Sequence, residues 1–267
     1  MPTLRFLELP ACFHRRASFL AAAALIFLAA MPSPAAGYDF EGFGLPEGFE
    51  ARFSLVSGGN RIGLTHWSFG ETGDRFIFQS QTEAVGIMSL IYGGEISERS
   101  EWTKYEEDWH PIEYHYRRTG FKEREIHIRF DRRKGLARIQ SPKGPWKKEV
   151  PQGVNDKLGY LLALMHDLSK GKKELRYPIA DGGRVRSYIF AIEGFERIES
   201  AIGPLDTVVV RRIRGDSGKK KRETTIWCAR DLGFLPVKIE HKEGSNPMIS
   251  LLIEGIDGFG RRFEFDS

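Results

Sequence analysis

Short runs of alternating apolar and polar residues, each closed by glycine, asparagine or aspartate, recur along most of this chain and limit its fold more than any other feature. The first is Phe49-Glu50-Ala51-Arg52-Phe53-Ser54-Leu55, with a turn at Ser57-Gly58-Gly59-Asn60; a second covers 62–69, and a third covers 75–82 after Glu71-Thr72-Gly73-Asp74. The rhythm continues at 96–105, 111–118, 123–130, 136–141, 174–178, 185–194, 197–201, 207–214, 223–229, 235–242 and 248–256. Parallel strands would need a crossover element between each pair, and helical periods are almost absent, so the sheet is expected to be antiparallel.

One segment breaks the rhythm. Over 156–170, Leu158, Leu161, Leu162, Met165 and Leu168 fall on one side at helical spacing, with Asn155 placed to cap the start and Gly171 to end it. The fold expected is mainly β: a strongly curved antiparallel sheet, an open or half barrel, wrapped around one central α-helix at about 155–170. A shorter helical piece at 85–92, apolar through Ile87, Met88, Leu90, Ile91 and Tyr92, reads as a flap at the mouth of a cavity. One domain is expected over 49–258, preceded by an extended arm at 38–48 and followed by a tail at 259–267.

At the N-terminus, Arg15-Arg16 leads into an apolar run at 17–31, and the small residues up to Gly37 suit a signal peptidase. The run is shorter than the roughly 18 residues that identify a spanning helix, and Pro32 and Pro34 stop it. Residues 1–37 are therefore read as a cleaved signal peptide, leaving a soluble periplasmic protein with no transmembrane span. Cys12 leaves with the signal, and Cys228, inside an alternating stretch, is expected to be a small buried hydrophobe. No asparagine opens a glycosylation sequon. Arg5, Arg15 and Arg16 against Glu8 account for two of the formal +4 charges, so the mature chain carries about +2. Lys219-Lys220-Lys221-Arg222, after Gly215-Asp216-Ser217-Gly218, reads as a solvated hairpin tip, and no nucleic-acid partner is expected.

Chemistry is sparse. Alternation after Pro111 puts Glu113, His115 and Arg117 on one face and Ile112, Tyr114 and Tyr116 on the other; 123–130 repeats the pattern with Glu123, Glu125, His127 and Arg129. If these strands pair as a hairpin, His115 and His127 approach one another, but a metal would need further ligands, and no HExxH, CxxC or Asp-rich loop supplies them. The face reads as cross-strand ion pairs in solvent. With no Gly-x-Ser-x-Gly elbow, phosphate loop or paired-carboxylate signature, neither an enzyme, a cofactor nor a metal is expected. An enzyme built on Glu113, His115 or His127 is the third reading. The first is a non-enzymatic binding module whose concave apolar surface, lined by Leu158, Leu161, Leu162 and Met165 with Trp67, Trp102, Tyr114 and Tyr116, takes a lipid, acyl chain or lipoprotein segment. The second is a structural or interaction protein of the cell envelope with a self-filled core, whose exposed edge strand recruits a protein partner.

Several stretches together carry a family resemblance. Phe49 to Leu55 is followed by Gly58-Gly59 and Ile62-Gly63, then by Ile96-Ser97-Glu98-Arg99-Ser100 and Pro111-Ile112-Glu113-Tyr114-His115-Tyr116. The second half adds Asp156-Lys157-Leu158, Leu175-Arg176-Tyr177-Pro178-Ile179-Ala180-Asp181-Gly182-Gly183, Gly203-Pro204-Leu205-Asp206-Thr207-Val208 and Trp227-Cys228-Ala229-Arg230-Asp231-Leu232-Gly233-Phe234-Leu235-Pro236-Val237. In order and spacing these resemble the bacterial domain-of-unknown-function-3108 family. The resemblance implies exported, mostly β proteins with no assigned activity and no catalytic residues to carry over. Their general shape is similar to the open β-barrel of lipoprotein-carrier proteins, in which a bent antiparallel sheet wraps an apolar helix.

Overall fold

Where only one face of a segment is buried, its alternation becomes a strand, and nearly every alternating run above does so. The computed structural model describes residues 48–105, 108–120, 122–213, 222–259 and 261–262, all within the unit Ala35–Ser267. The expected signal peptide, most of the arm and the basic tip at Lys219–Lys221 lie outside the described residues. Strands β1 (Gly48–Ser57), β2 (Asn60–Thr72), β3 (Arg75–Ala84), β4 (Glu95–Tyr105), β5 (Asp108–Arg118), β6 (Arg124–Asp131), β7 (Leu136–Ser141) and β8 (Gly144–Glu149) form one antiparallel meander. A second contains β9 (Leu175–Asp181), β10 (Arg184–Ile198), β11 (Leu205–Ile213), β12 (Arg222–Ala229), β13 (Leu235–Glu243) and β14 (Ile249–Gly258). Pairing of β1 with β14 fuses the two into one sheet, and a two-residue β15 (Arg261–Arg262) adds to β14.

The sheet is open, with β8 and β9 at its ends. It nevertheless curls until those ends meet. A Cβ added at Gly183, in the β9–β10 turn, would lie 3.6 Å from the Trp146 ring of β8, and one at Gly182 would lie 3.4 Å from the Arg124 guanidinium of β6. Residue 155, beyond β8, also forms a parallel bridge to β9: Asn155 N–H donates to Pro178 O and Ala180 N–H to Asn155 O, each at 2.8 Å. Register places Phe53, Trp67, Phe78, Trp102, Tyr114 and Ile128 on the same face, and all six are buried.

Two short helices complete the fold, α1 (Ile87–Tyr92) and α2 (Tyr160–Ser169). The linker between the meanders carries α2, which touches both halves of the sheet. At its start, a Cβ on Gly159 would sit 2.7 Å from the Trp102 ring of β4, so only glycine lets the backbone approach so closely. Along its body, Tyr160 stacks on Phe190 of β10 and packs against Tyr177 of β9. Two acids pin it. Asp156 Oδ1 accepts Leu158 N–H at 2.9 Å and Gly159 N–H at 2.6 Å, while Oδ2 accepts the Ser100 hydroxyl of β4 at 2.6 Å. Asp167 accepts from Lys172 Nζ at 2.7 Å and from the Tyr177 hydroxyl at 3.1 Å. Burial pushes the Asp156 carboxyl up to about 6 against the pull of those donors. Burial also opposes ionisation of Asp167, yet hydrogen bonds from His166, Lys172 and Tyr177 hold it below its ordinary value.

Some boundaries differ from the sequence reading. Asn155 does not cap α2: it is committed to the β9 bridge, Gly159 stands at the N-cap without a side-chain cap, and Asp156 caps the turn that leads into the helix. The runs 185–194 and 197–201 are one strand, β10, in which a register shift between Ile192 and Gly194 interrupts the alternation. β8 escaped the pattern altogether: it is exposed on both faces and carries Pro145, which an edge strand tolerates. Pairing also runs past the expected 49–258 span, to Gly48 at one end and Arg261–Arg262 at the other.

Because folded Asp156 binds its proton more tightly than the unfolded chain does, this group makes stability fall as pH rises from about 4 to about 6, by about 2–3 kcal/mol. Urea unfolding across that range should show the decline in the wild type. Asp156→Asn, which keeps an acceptor for the backbone and offers Ser100 a donor, should flatten it. Asp156→Ala, which removes the titrating group together with its hydrogen bonds, should cost most near pH 4 and about 2–3 kcal/mol less above pH 6.

Candidate functional site

The eight residues expected to line an apolar surface do converge on the inner side of the sheet. Leu162, Met165 and Trp102 are fully inaccessible, Tyr114, Leu158, Trp67 and Leu161 are nearly so, and Tyr116 is half-buried against the same core. Burial of α2 goes beyond the leucine stripe: Ala163 and Leu164, off that stripe, are also inaccessible, and His166 and Asp167 are buried. A helix covered on nearly every side is a core element.

Polar chemistry inside the sheet centres on β4. Glu98, Ser100 and Trp102 share its inner face; the Tyr114 hydroxyl donates to Glu98 Oε1 at 2.8 Å, and Trp102 Nε1–H donates to Ser100 Oγ at 2.8 Å. Burial raises the Glu98 carboxyl above its usual range, with Tyr114 and Lys157 acting against it. Lys157 pairs with Asp181 at 3.1 Å, linking the α2 entry to the β9–β10 turn. Sequence reasoning missed this group, although a glutamate two residues from a serine and four from a tryptophan on one strand face was the available signal. Every oxygen of Asp156 is engaged in holding α2, so its raised pKa reflects a buried fastening.

An open apolar cleft lies further along the inner face, at the end away from the large aromatics. It holds about 510 Å³ and is walled by Leu55, Ile62, Ala84, Ile96 and Ile249, with Met88 of α1 at its side. Register explains the space: the inner positions next to Leu55 are Gly63 and Ala84, then Thr65 and Thr82, whose hydroxyls are 2.9 Å apart, whereas the other end is filled by Phe49, Phe69, Phe76 and Phe78. Around the cleft are exposed apolar side chains: Leu90 of α1 is 86 % exposed, and Met248 and Ile249 close the β14 end. α1 is flanked by Gly86 and Gly93, both at positive φ, and Val85 N–H ties its entry to Ile62 O at 3.1 Å. Arg118, Lys122, Glu83 and Glu95 form the charged part of the lining.

On the outer face, β5 and β6 do pair, and His115 lies directly opposite His127 with ring centroids 5.7 Å apart. Each ring binds a carboxylate crosswise: His115 Nε2 is 2.6 Å from Glu125 Oε1, and His127 contacts Glu113, which Arg129 also approaches at 3.6 Å. Among the described residues, no three His, Cys, Asp or Glu side chains are grouped to hold a metal ion. Cys228 is fully buried, and burial pushes its thiol well above the usual range.

Fold and interior together define a β-barrel-like antiparallel protein with an open seam. The chain matches the family described as Protein of unknown function (DUF3108) over residues 49–249 and belongs to that family. Among solved structures it is similar to a β-barrel-like protein of domain of unknown function DUF1849 from Brucella abortus, at 11% identity and TM-score 0.52, covering 81% of this chain and 99% of that one. A putative lipoprotein from Parabacteroides distasonis also aligns, at 11% identity and TM-score 0.32, over 80% of this chain and 98% of that one. No curated protein matches the chain.

Core and rim positions should separate cleanly in urea unfolding. Leu162→Ala, at an inaccessible site on α2, should cost about 2–5 kcal/mol, and Leu90→Ser, on the exposed face of α1, should stay within about 0.5 kcal/mol of wild type.

Proposed function

We propose that the protein is an exported, non-enzymatic binding module of the bacterial envelope that takes an acyl chain or similar apolar ligand into the cleft beneath α1. The observation that carries this reading is the cleft itself, about 510 Å³ of mostly aliphatic wall that continues the inner face of the sheet, flanked by a six-residue helix between two glycines. A pocket of this size and lining suits a small apolar ligand with few polar contacts. Apolar side chains exposed at Leu90, Met248 and Ile249 suit transfer to or from another apolar surface. In this reading α2 is the central support around which the sheet bends, and Leu158, Leu161, Leu162, Met165, Trp67, Trp102, Tyr114 and Tyr116 form the packed core that holds the sheet's shape, away from the ligand. Export rests on the Arg15-Arg16 lead and the apolar run at 17–31.

A second reading is favoured by the complete burial of Leu162, Ala163, Leu164 and Met165. An interior filled by the chain's own side chains suits a structural or interaction protein of the envelope, with an edge strand as the contact.

Titration of the purified protein with a fluorescent long-chain fatty acid decides between them. Saturable uptake that weakens about tenfold or more in Ala84→Trp, which fills the cleft, supports the binding module. No uptake by the wild type, or uptake unchanged in a folded Ala84→Trp variant, overturns it in favour of the second reading.

A further inference from the structure

Matched cross-strand charges occur in the other half of the sheet: Arg222 faces Glu243 and binds it at 2.8 Å, and Arg197 faces Asp206 at 3.2 Å. On β6, β7 and β8 the register instead sets like charges side by side across three strands. Arg129 lies directly across from Arg138, and Arg138 directly across from Lys147. Like charges in this position destabilise a sheet, so the arrangement calls for a counter-charge. Among the described residues, Arg138 has no carboxylate partner, and Arg129 has only Glu113, at 3.6 Å and shared with His127.

The same arginines open onto a cleft of about 520 Å³. Arg133, from the turn after β6, reaches it as well, while Phe130 and Ile112 supply an apolar floor. The second acid in the lining, Asp131, is engaged in the turn, where Oδ1 accepts Lys134 N–H at 3.2 Å and Oδ2 is 3.8 Å from Lys134 Nζ. We propose that this cleft is a binding site for a phosphate group, with Arg129, Arg133 and Arg138 as its donors. Guanidinium forks match the oxygen geometry of phosphate, and three forks converging on one space exceed what a single carboxylate can accept. The site shares no lining residue with the apolar cleft and is independent of it.

The test uses the full chain at constant ionic strength, comparing wild type with Arg129→Gln/Arg138→Gln. Calorimetry with inorganic phosphate and with glycerol phosphate addresses a free ligand. Flotation with phosphatidylcholine vesicles, with and without phosphatidic acid, addresses a lipid headgroup. Binding in either arm that drops about tenfold or more in the double variant supports the site and identifies the source. The unliganded variant should melt at or above the wild-type midpoint, since it relieves a like-charge pair; this separates lost binding from lost folding. Binding in neither arm, or binding that the folded variant retains, overturns the proposal.

Discussion

The seam between β1 and β14 sets the rest of the structure. By pairing the first and last long strands it merges two hairpin meanders into one sheet and sends β8 and β9 to opposite ends, although a single linker joins them in sequence. That linker, residues 150–174, must therefore cross from one end of the sheet to the other. On the way it bridges to β9 at Asn155 and then forms α2, whose residues Leu161 to Leu168 are all buried.

Crossing the interior brings a desolvation problem, because a helix entering a hydrophobic core carries unsatisfied amides at its start. Asp156 satisfies two amides of the turn that leads into the helix and reaches to Ser100, so the same group fastens the helix entry to the sheet. At the other end, Asp167 gathers donors from Lys172 and Tyr177. The two acids respond to acidity with opposite signs: burial dominates at Asp156, and hydrogen bonding dominates at Asp167. Asp156 therefore favours the folded state most in acid and loses that contribution as pH rises through about 6, whereas Asp167 loses its own only as pH falls below its ordinary value.

Most strands were legible because one face of each is wet and the other dry, which imposes period two on the sequence. Legibility failed where that contrast is lost. β8 is wet on both faces, β10 changes phase at Gly194, and α2 is dry almost all round, so Leu164, off the leucine stripe, is as inaccessible as Leu162 on it. The aromatic and leucine residues singled out as a ligand surface were correctly placed on the inner face, but they are large and pack against one another. The open cleft lies where the side chains are small, at Gly63, Ala84 and Thr82, and small residues leave no mark in a hydrophobicity pattern. Cross-strand neighbours such as Arg129 and Arg138 are brought together only by register.

The form of β8 has a consequence for how the molecule behaves among copies of itself. An open sheet ends in a row of amides and carbonyls ready to template another strand, a standing invitation to edge-to-edge polymerisation. Here that row includes Pro145, which has no amide hydrogen to give, and Lys147 and Lys148, whose charges repel an identical edge. The sheet can therefore stay unsealed without becoming adhesive.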